Sequence, residues 1–412
     1  MQRPDSHALD AEMLTPHFYA NPYPVYDRFR EEAPIYWSNR FQAWILTRYT
    51  DVAATIRDTQ RFSNARRVPA LLEKLPPSVQ SEIGPLKRHF SIGLVQSDPP
   101  DHTRIRALVN KTFTPRMVED LRPRIQAITD ELLDDVIATG SMDVIADFAY
   151  PLPATVICEF VGVPVEARDH YKSWSSRIFR FLGTGRPELT IVREAQQALL
   201  ELEQYFRDLF VVLRRQPKDD LLSHLVRVEV EGQRLSEDEL LAMCSTFVSA
   251  GHETTTNLIG MGVLALLQHP AQLERLRTRP DLMRQAVEEM LRYESPLQRN
   301  LKVATVDVAL GDQQIRAGDL MFPMLGAANR DPAQFPNPHS FDLERLDNRH
   351  LAFGLGPHFC LGAPLARLEC QLAIETLLRR LDSLELVNNH LDWGEDIALR
   401  GLKSLPITFT PA

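Results

Sequence analysis

The chain has 412 residues and a formal net charge of -9. It is long enough for a large core and, by length alone, for two or three domains, and the spread of its acids argues against a nucleic-acid role. No repeat, low-complexity tract or long linker marks a boundary, so the expectation is one α-rich unit over residues 1–412. The polar start lacks the apolar core of a signal peptide, and no apolar run approaches the length of a membrane span, which predicts no membrane anchor. Four cysteines without a CxxC spacing fit a reducing cytoplasm.

From Asn21 to Arg61 a short amphipathic helix alternates with strand-like pieces such as Ala43 to Thr47. Prolines at 69, 76, 77, 85, 99 and 100 then interrupt every helical pattern from Phe62 to Pro100, which predicts a long irregular or partly helical connection. His102 and Arg106 follow, four apart on one face of a helix, where both can donate hydrogen bonds to an anion. Arg104, Lys111 and Arg116 lie on or just past the same helix and suggest a docking face for an acidic partner or, as readily, a solvated surface.

Residues 117–215 read as successive amphipathic helices, broken last by the turn Gly183 to Pro187. Trp174, Phe179 and Phe181 precede that turn and suit either a ligand entrance or the core. Ser236 with Glu239 forms a capping box, and an apolar pattern runs to Gln268 before Pro270. This predicts one helix of roughly 30 residues. Its middle, Ala250 to Asn257, places a glycine, an acid and three hydroxyls where a core helix should carry Leu and Ala, a local inconsistency that usually marks function.

Glu289 and Arg292, three apart on a helix over 281–293, can pair, as can Glu119 with Arg122, Glu231 with Arg234 and Glu274 with Arg277 at the surface. The segment Phe353 to Gly362 reads Phe-Gly-Leu-Gly-Pro-His-Phe-Cys-Leu-Gly, with three glycines and a proline in ten residues. That is a tight turn that lets backbone approach the Cys360 sulfur. Pro364 and the spacing of Leu365, Leu368, Leu377 and Leu378 predict a helix from there to about Arg380, with its positive end aimed at Cys360. Backbone amides at a helix N-terminus lower a cysteine pKa and favour the thiolate, the ligand that haem iron needs for O–O cleavage.

Phe353, Gly356, Cys360 and Gly362 stand in the pattern FxxGxxxCxG, which resembles the cysteine-ligand loop of the cytochrome P450 family. Asp-Pro-Pro-x-His-x-x-x-Arg before and through Arg106, Ala250 to Thr255, and the Glu289–Arg292 pair resemble that family's other motifs in the same order, over residues from about 20 to 410. The resemblance implies a mainly α fold with small β-sheets (α+β), haem lying between the long central helix and the cysteine-loop helix. It also implies a β-rich N-terminal region over about 20–65 and a C-terminal hairpin over about 385–410.

By the same resemblance Cys360 is the axial ligand of haem b, and Phe353, Gly354 and Gly362 shape its loop. His102, Arg106 and His358 grip the haem propionates, and either Arg299 or Lys302 serves the second one. Ala250 and Gly251 leave room for dioxygen, Glu253 and Thr254 deliver protons, and Glu289, Arg292 and Arg345 form a buried structural cluster. The implied activity is that of a soluble, cytoplasmic, monomeric bacterial haem-thiolate monooxygenase. Its electrons would come from NAD(P)H through a ferredoxin or flavodoxin and its reductase. The segments that would line its pocket mix apolar residues with Arg66, Arg67, Lys87 and Arg88, which suits a lipophilic terpenoid, macrolide or fatty acid.

Three other readings compete. A peroxide-driven relative would replace Glu253 and Thr254 by arginine and proline. A non-catalytic haem-binding module would not need the acid and alcohol. A hydrolase with a cysteine nucleophile would be colourless.

Overall fold

The computed structural model describes residues 9, 11–183, 188–228, 232–388 and 390–412. The chain is mostly helical, with four small sheets among the described residues. Helix α1 (Tyr23–Glu32) leads into strands β1 (Ile35–Ser38) and β2 (Ala43–Leu46), then α2 (Tyr49–Arg57) and β3 (Phe62–Ser63). The proline-rich connection is largely helical, with α3 (Arg67–Leu72) and α4 (Gly84–His89) in it, because prolines at the first turn of a short helix cost nothing. Helix α5 (Asp101–Thr112) carries His102 and Arg106.

Helices α6 (Arg122–Ile137), α7 (Pro151–Val161), α8 (Arg168–Gly183) and α9 (Leu189–Arg215) follow, with β4 (Ser141–Asp143) between the first two. The turn expected at 183–187 lies, after Gly183, outside the described residues. Trp174 and Phe181 are buried, and Trp174 Nε1 donates to Glu201 on α9 at 2.9 Å, so both belong to the core. The stretch Val144–Val161 is long and apolar enough to cross a membrane, contrary to expectation, but 78% of it is buried inside the fold. It runs through a π-turn (Val144–Ala149) into α7, and its apolarity serves the core.

The central helix is interrupted. Helix α10 (Glu237–Ala250) begins at the expected Ser236–Glu239 capping box, and α11 (Glu253–Gln268) ends before Pro270, but Gly251 and His252 separate them. His252 Nδ1 lies 2.8 Å from the carbonyl of Val248, and Thr254 Oγ1 donates to that of Ala250 at 2.9 Å. Side chains thereby take carbonyls next to the break, the competition that makes such residues poor helix formers. Helices α12 (Met283–Tyr293) and α13 (Ala363–Arg380) complete the helical layer over the cysteine loop.

The largest sheet has the order β1-β2-β8-β5-β3, with β5 (Lys302–Ala304) and β8 (Leu320–Pro323) flanking the hairpin of β6 (Val308–Leu310) and β7 (Gln313–Ile315). Its register pairs Trp37 with Trp44 and Lys302 with Met321. The two tryptophan rings meet edge-on at 5.4 Å, a contact worth about 0.5–1.5 kcal/mol beyond burial. Every residue of β1, β2 and β8 is buried, so this sheet is covered on both faces. Strand β12 (Pro406–Pro411) pairs with β4 on one side and β9 (Leu381–Leu386) on the other, while β10 (Asp392–Trp393) and β11 (Leu402–Ser404) form the C-terminal hairpin.

Candidate haem-thiolate site

Cys360 sits where the loop turns into α13. Gly354 and Gly356 adopt positive φ of 70° and 74°, which a side chain would strain, and the Cys360 amide donates to the Phe353 carbonyl at 2.9 Å. The sulfur receives the amides of Gly362 and Ala363, and α13 starts at Ala363 as its sequence predicts. Yet the thiol pKa is raised rather than lowered. Burial outweighs the amides and the charges of Arg106 and Arg367, because an anion without a cation bound to it is costly away from water. A Cβ added at Gly362 meets no atom within 4 Å, so this side of the loop is open.

Facing the loop, α5 supplies His102 and Arg106. Arg106 donates to the Phe359 carbonyl at 3.0 Å, and the rings of His102 and His358 lie 4.1 Å apart. Both imidazoles have a buried Nε2 without a partner. Burial lowers the pKa of each, for His358 to about 2, with His102, Lys302, Arg67 and Arg106 adding to the effect. Lys302, buried on β5, donates only to the Phe62 carbonyl at 3.4 Å and is pushed down to about 8 by burial and by Arg67.

Cations and imidazoles with unspent donors gather here beside Asp98. A dicarboxylate such as haem fits this donor set, and Lys302, His102, Arg106 and His358 would hold its two carboxylates.

Arg299 lies elsewhere. Its guanidinium donates to the carbonyls of Leu182 and Gly183 at the end of α8 and stacks on Phe322 at 4.3 Å. Of the two residues expected at the second carboxylate, Arg299 is thus engaged with these carbonyls, while Lys302 stands close enough to His102 and His358 to lower the pKa of both.

On the central helix Thr246, Ala250, Gly251, Glu253, Thr254 and Asn257 keep accessible area, and the spacing of 246, 250, 253, 254 and 257 puts those five on one face. A Cβ at Gly251 would approach Ile157 of α7 to within 2.6 Å, so the missing side chain also lets the two helices pack closely. Glu253 accepts from Ser176 of α8 at 3.3 Å through Oε1, while Oε2 is buried without a partner. Burial raises its pKa to about 7, Asp396 raising it further and Ser176 and Lys172 opposing.

Behind the loop, Glu289 receives both guanidinium arms of Arg292 at 2.7 Å, Arg345 Nε at 3.1 Å, Asn348 Nδ2 at 3.1 Å and the Asp342 amide at 2.9 Å. Arg292 also donates to the carbonyls of Asn329, Pro338 and Ser340, which fastens the segment before the loop. Of the three surface pairs expected on the same spacing, Glu119–Arg122 forms, Arg277 turns to Asp382 and to the Leu378 and Leu381 carbonyls, and Glu231 lies outside the described residues.

A second brace was not foreseen. Glu288 binds Arg367 at 2.6 and 2.8 Å and His350 at 3.1 Å, and Arg367 lies 4.6 Å over the Phe353 ring. The two partners hold the Glu288 pKa at about 2 against its burial. Arg104, expected on a docking face, is committed to Glu239, while Arg116 is exposed, 4.0 Å from Asp120.

A cysteine presented by backbone amides beneath an anion-binding cluster and opposite an accessible helix face defines a haem-thiolate protein. The chain belongs to the cytochrome P450 family, whose model matches residues 73–390. It is 40% identical to the polyketide biosynthesis cytochrome P450 PksS of Bacillus subtilis (strain 168), over 98% of this chain and all of that protein. It is 41% identical to the cytochrome P450 monooxygenase PikC of Streptomyces venezuelae, over 97% of this chain and 94% of that one. Among solved structures it resembles P450BioI in complex with an acyl carrier protein ligated to hexadec-9Z-enoic acid. That match has a TM-score of 0.88 and 38% identity, over 95% of this chain and 99% of that one. The chain is thus an oxygen-dependent haem monooxygenase of the bacterial type, with the α-rich fold and small sheets that its motifs imply.

Proposed function

We propose that this chain oxidises a lipophilic secondary metabolite, a macrolide or other polyketide, a fatty acyl chain or a terpenoid, with Cys360 as the axial ligand of its haem. The observation that carries the reading is the pairing of the Cys360 loop with the cluster of His102, His358 and Lys302, in which the buried Nε2 of both imidazoles lacks a partner among the described residues. Support for the substrate class comes from PksS and PikC, and from the fatty-acyl carrier protein bound to P450BioI.

Haem, once bound, supplies the activation of dioxygen, one atom entering the substrate and the other leaving as water. The residues of this chain hold it and move protons. The amides of Gly362 and Ala363 steady the Cys360 sulfur, Glu289 with Arg292 and Arg345 keeps the preceding segment in place, and the carboxylate grips fix orientation. Glu253 bridges the surface at Ser176 and the interior, and with a pKa of about 7 it can give up and regain a proton at neutral pH. Thr254 Oγ1, held on the Ala250 carbonyl and partly accessible, is the hydroxyl that passes the proton inward. The electrons come from NAD(P)H through a ferredoxin or flavodoxin and its reductase, docking where Arg116 is exposed.

The test is a panel of macrolactones, fatty acids and terpenoids, scored by optical binding shifts and by product formation with a surrogate ferredoxin and reductase. Shifts and oxygenated products from at least one lipophilic class are expected. Binding confined to small polar molecules would sink the substrate reading.

A further inference from the structure

Arg67 is a charge without a counter-charge. It opens α3, directly after the turn that β3 ends, and its Nε is buried with no partner. Among the described residues no carboxylate lies within ion-pair distance of its guanidinium. Arg67 as a whole keeps some accessible area, but a buried guanidinium nitrogen left without an acceptor is costly, and an anion arriving from outside would relieve that cost.

The turn that bears Arg67 is fastened to the carboxylate cluster at several points. Ser63 pairs with Val303, next to Lys302, in the β3–β5 register, and Lys302 Nζ reaches the Phe62 carbonyl at 3.4 Å. Asn64 donates its amide to Asp98 Oδ1 at 2.9 Å and accepts the Arg67 amide at 3.3 Å through its carbonyl. Asp98 in turn accepts the His102 amide at 3.0 Å through its own carbonyl, and the His102 ring meets that of His358 at a tilt of 47°. Burial pushes the Arg67 guanidinium down to about 10, Asp98 opposing, and the charge of Arg67 depresses both Lys302 and His358.

We propose that Arg67 is a receptor for a carboxylate at the edge of the haem site. This inference rests on the haem-thiolate reading above. Two sources carry that chemistry, the haem propionates and the acid group of a substrate, and the fastening of the Arg67 turn to Lys302 and Asp98 favours the haem. Arg67, Arg106 and Lys302 have no ion-pair partner among the described residues, and Asp98 beside them is already held by Ser63 and Asn64. No family motif marks Arg67, and within its own sequence neighbourhood it resembles the exposed Arg66.

The experiment compares the wild-type holoenzyme with Arg67→Met and Arg67→Lys. Haem transfer to excess apomyoglobin is followed optically, and binding shifts are recorded with dodecanoic acid and with 1-dodecanol. Losing a charge-assisted, forked grip should speed haem transfer about 10- to 100-fold in Arg67→Met, with Arg67→Lys between it and wild type. Unchanged transfer together with a lost preference for the acid over the alcohol assigns the receptor to the substrate carboxylate. Both readouts unchanged overturn the proposal. Should Arg67→Met yield no holoenzyme, Arg67→Lys carries the same comparison, since it keeps the charge and loses only the fork. The reduced, carbon-monoxide-bound spectrum of each variant reports thiolate ligation separately, so a failure of the haem-thiolate reading is distinguishable.

Discussion

Glu253 and Ser176 join the central helix to helix α8 through one hydrogen bond of 3.3 Å, with the other carboxylate oxygen buried and unpartnered. Burial favours the neutral acid, so the folded-state pKa of about 7 lies above the ordinary value of 4.5. Between these two values the unfolded chain has lost the proton that the folded protein keeps, and stability falls as pH rises. Replacing Glu253 by Gln removes that penalty. Relative to wild type, the Glu253→Gln protein should gain stability from pH 4.5 to pH 7, by roughly 3 kcal/mol at most, as read by urea unfolding across that range. A constant difference would show that Glu253 ionises normally.

Thr254→Val keeps the shape of the side chain and removes the hydroxyl now held on the Ala250 carbonyl. Substrate binding should be unaffected, while the share of consumed NAD(P)H that appears in product drops about 10-fold or more, the scale of a lost proton-transfer group. The readout is product against hydrogen peroxide per NAD(P)H. Coupling equal to wild type would remove Thr254 from proton delivery.

The fully buried Glu289 and Arg292 form a pair that is costly to break from one side. Arg292→Leu leaves the Glu289 carboxylate with less compensation and strips three carbonyls of their donor. A loss of about 3–5 kcal/mol is expected, measured by denaturant unfolding, together with faster haem release.

Arg299 ties the last turn of α8 to the sheet through the carbonyls of Leu182 and Gly183. Arg299→Met should leave haem affinity unchanged and speed amide hydrogen exchange around residues 178–183 by several-fold. Weaker haem binding with unchanged exchange would instead return Arg299 to the carboxylate cluster.

What could be read ahead of the structure follows the range of the interactions. The Cys360 loop, the capping box at Ser236 and the Glu289–Arg292 pair are short-range patterns whose partners lie within ten residues, and all three form. The break at Gly251 and His252 was visible only as weak propensity, since whether side chains or amides take the Val248 and Ala250 carbonyls is decided in three dimensions. That a side chain at Gly251 would meet Ile157, 94 positions away, lies beyond any local pattern. The same distance in sequence hid the Glu288–Arg367 brace and the isolation of Arg67. The raised Cys360 pKa reflects how much burial the amides must offset, a quantity that no motif contains.

Burial raises the Cys360 pKa, and the proposed ligation requires that haem iron hold it as a thiolate all the same. The most direct test is the absorption spectrum of the purified, dithionite-reduced protein under carbon monoxide, beside that of Cys360→His. Wild type should show the far red-shifted Soret band of thiolate-ligated haem, and the variant should lose it. A wild-type band at the position given by imidazole or neutral thiol, or no haem band at all, would contradict thiolate ligation by Cys360.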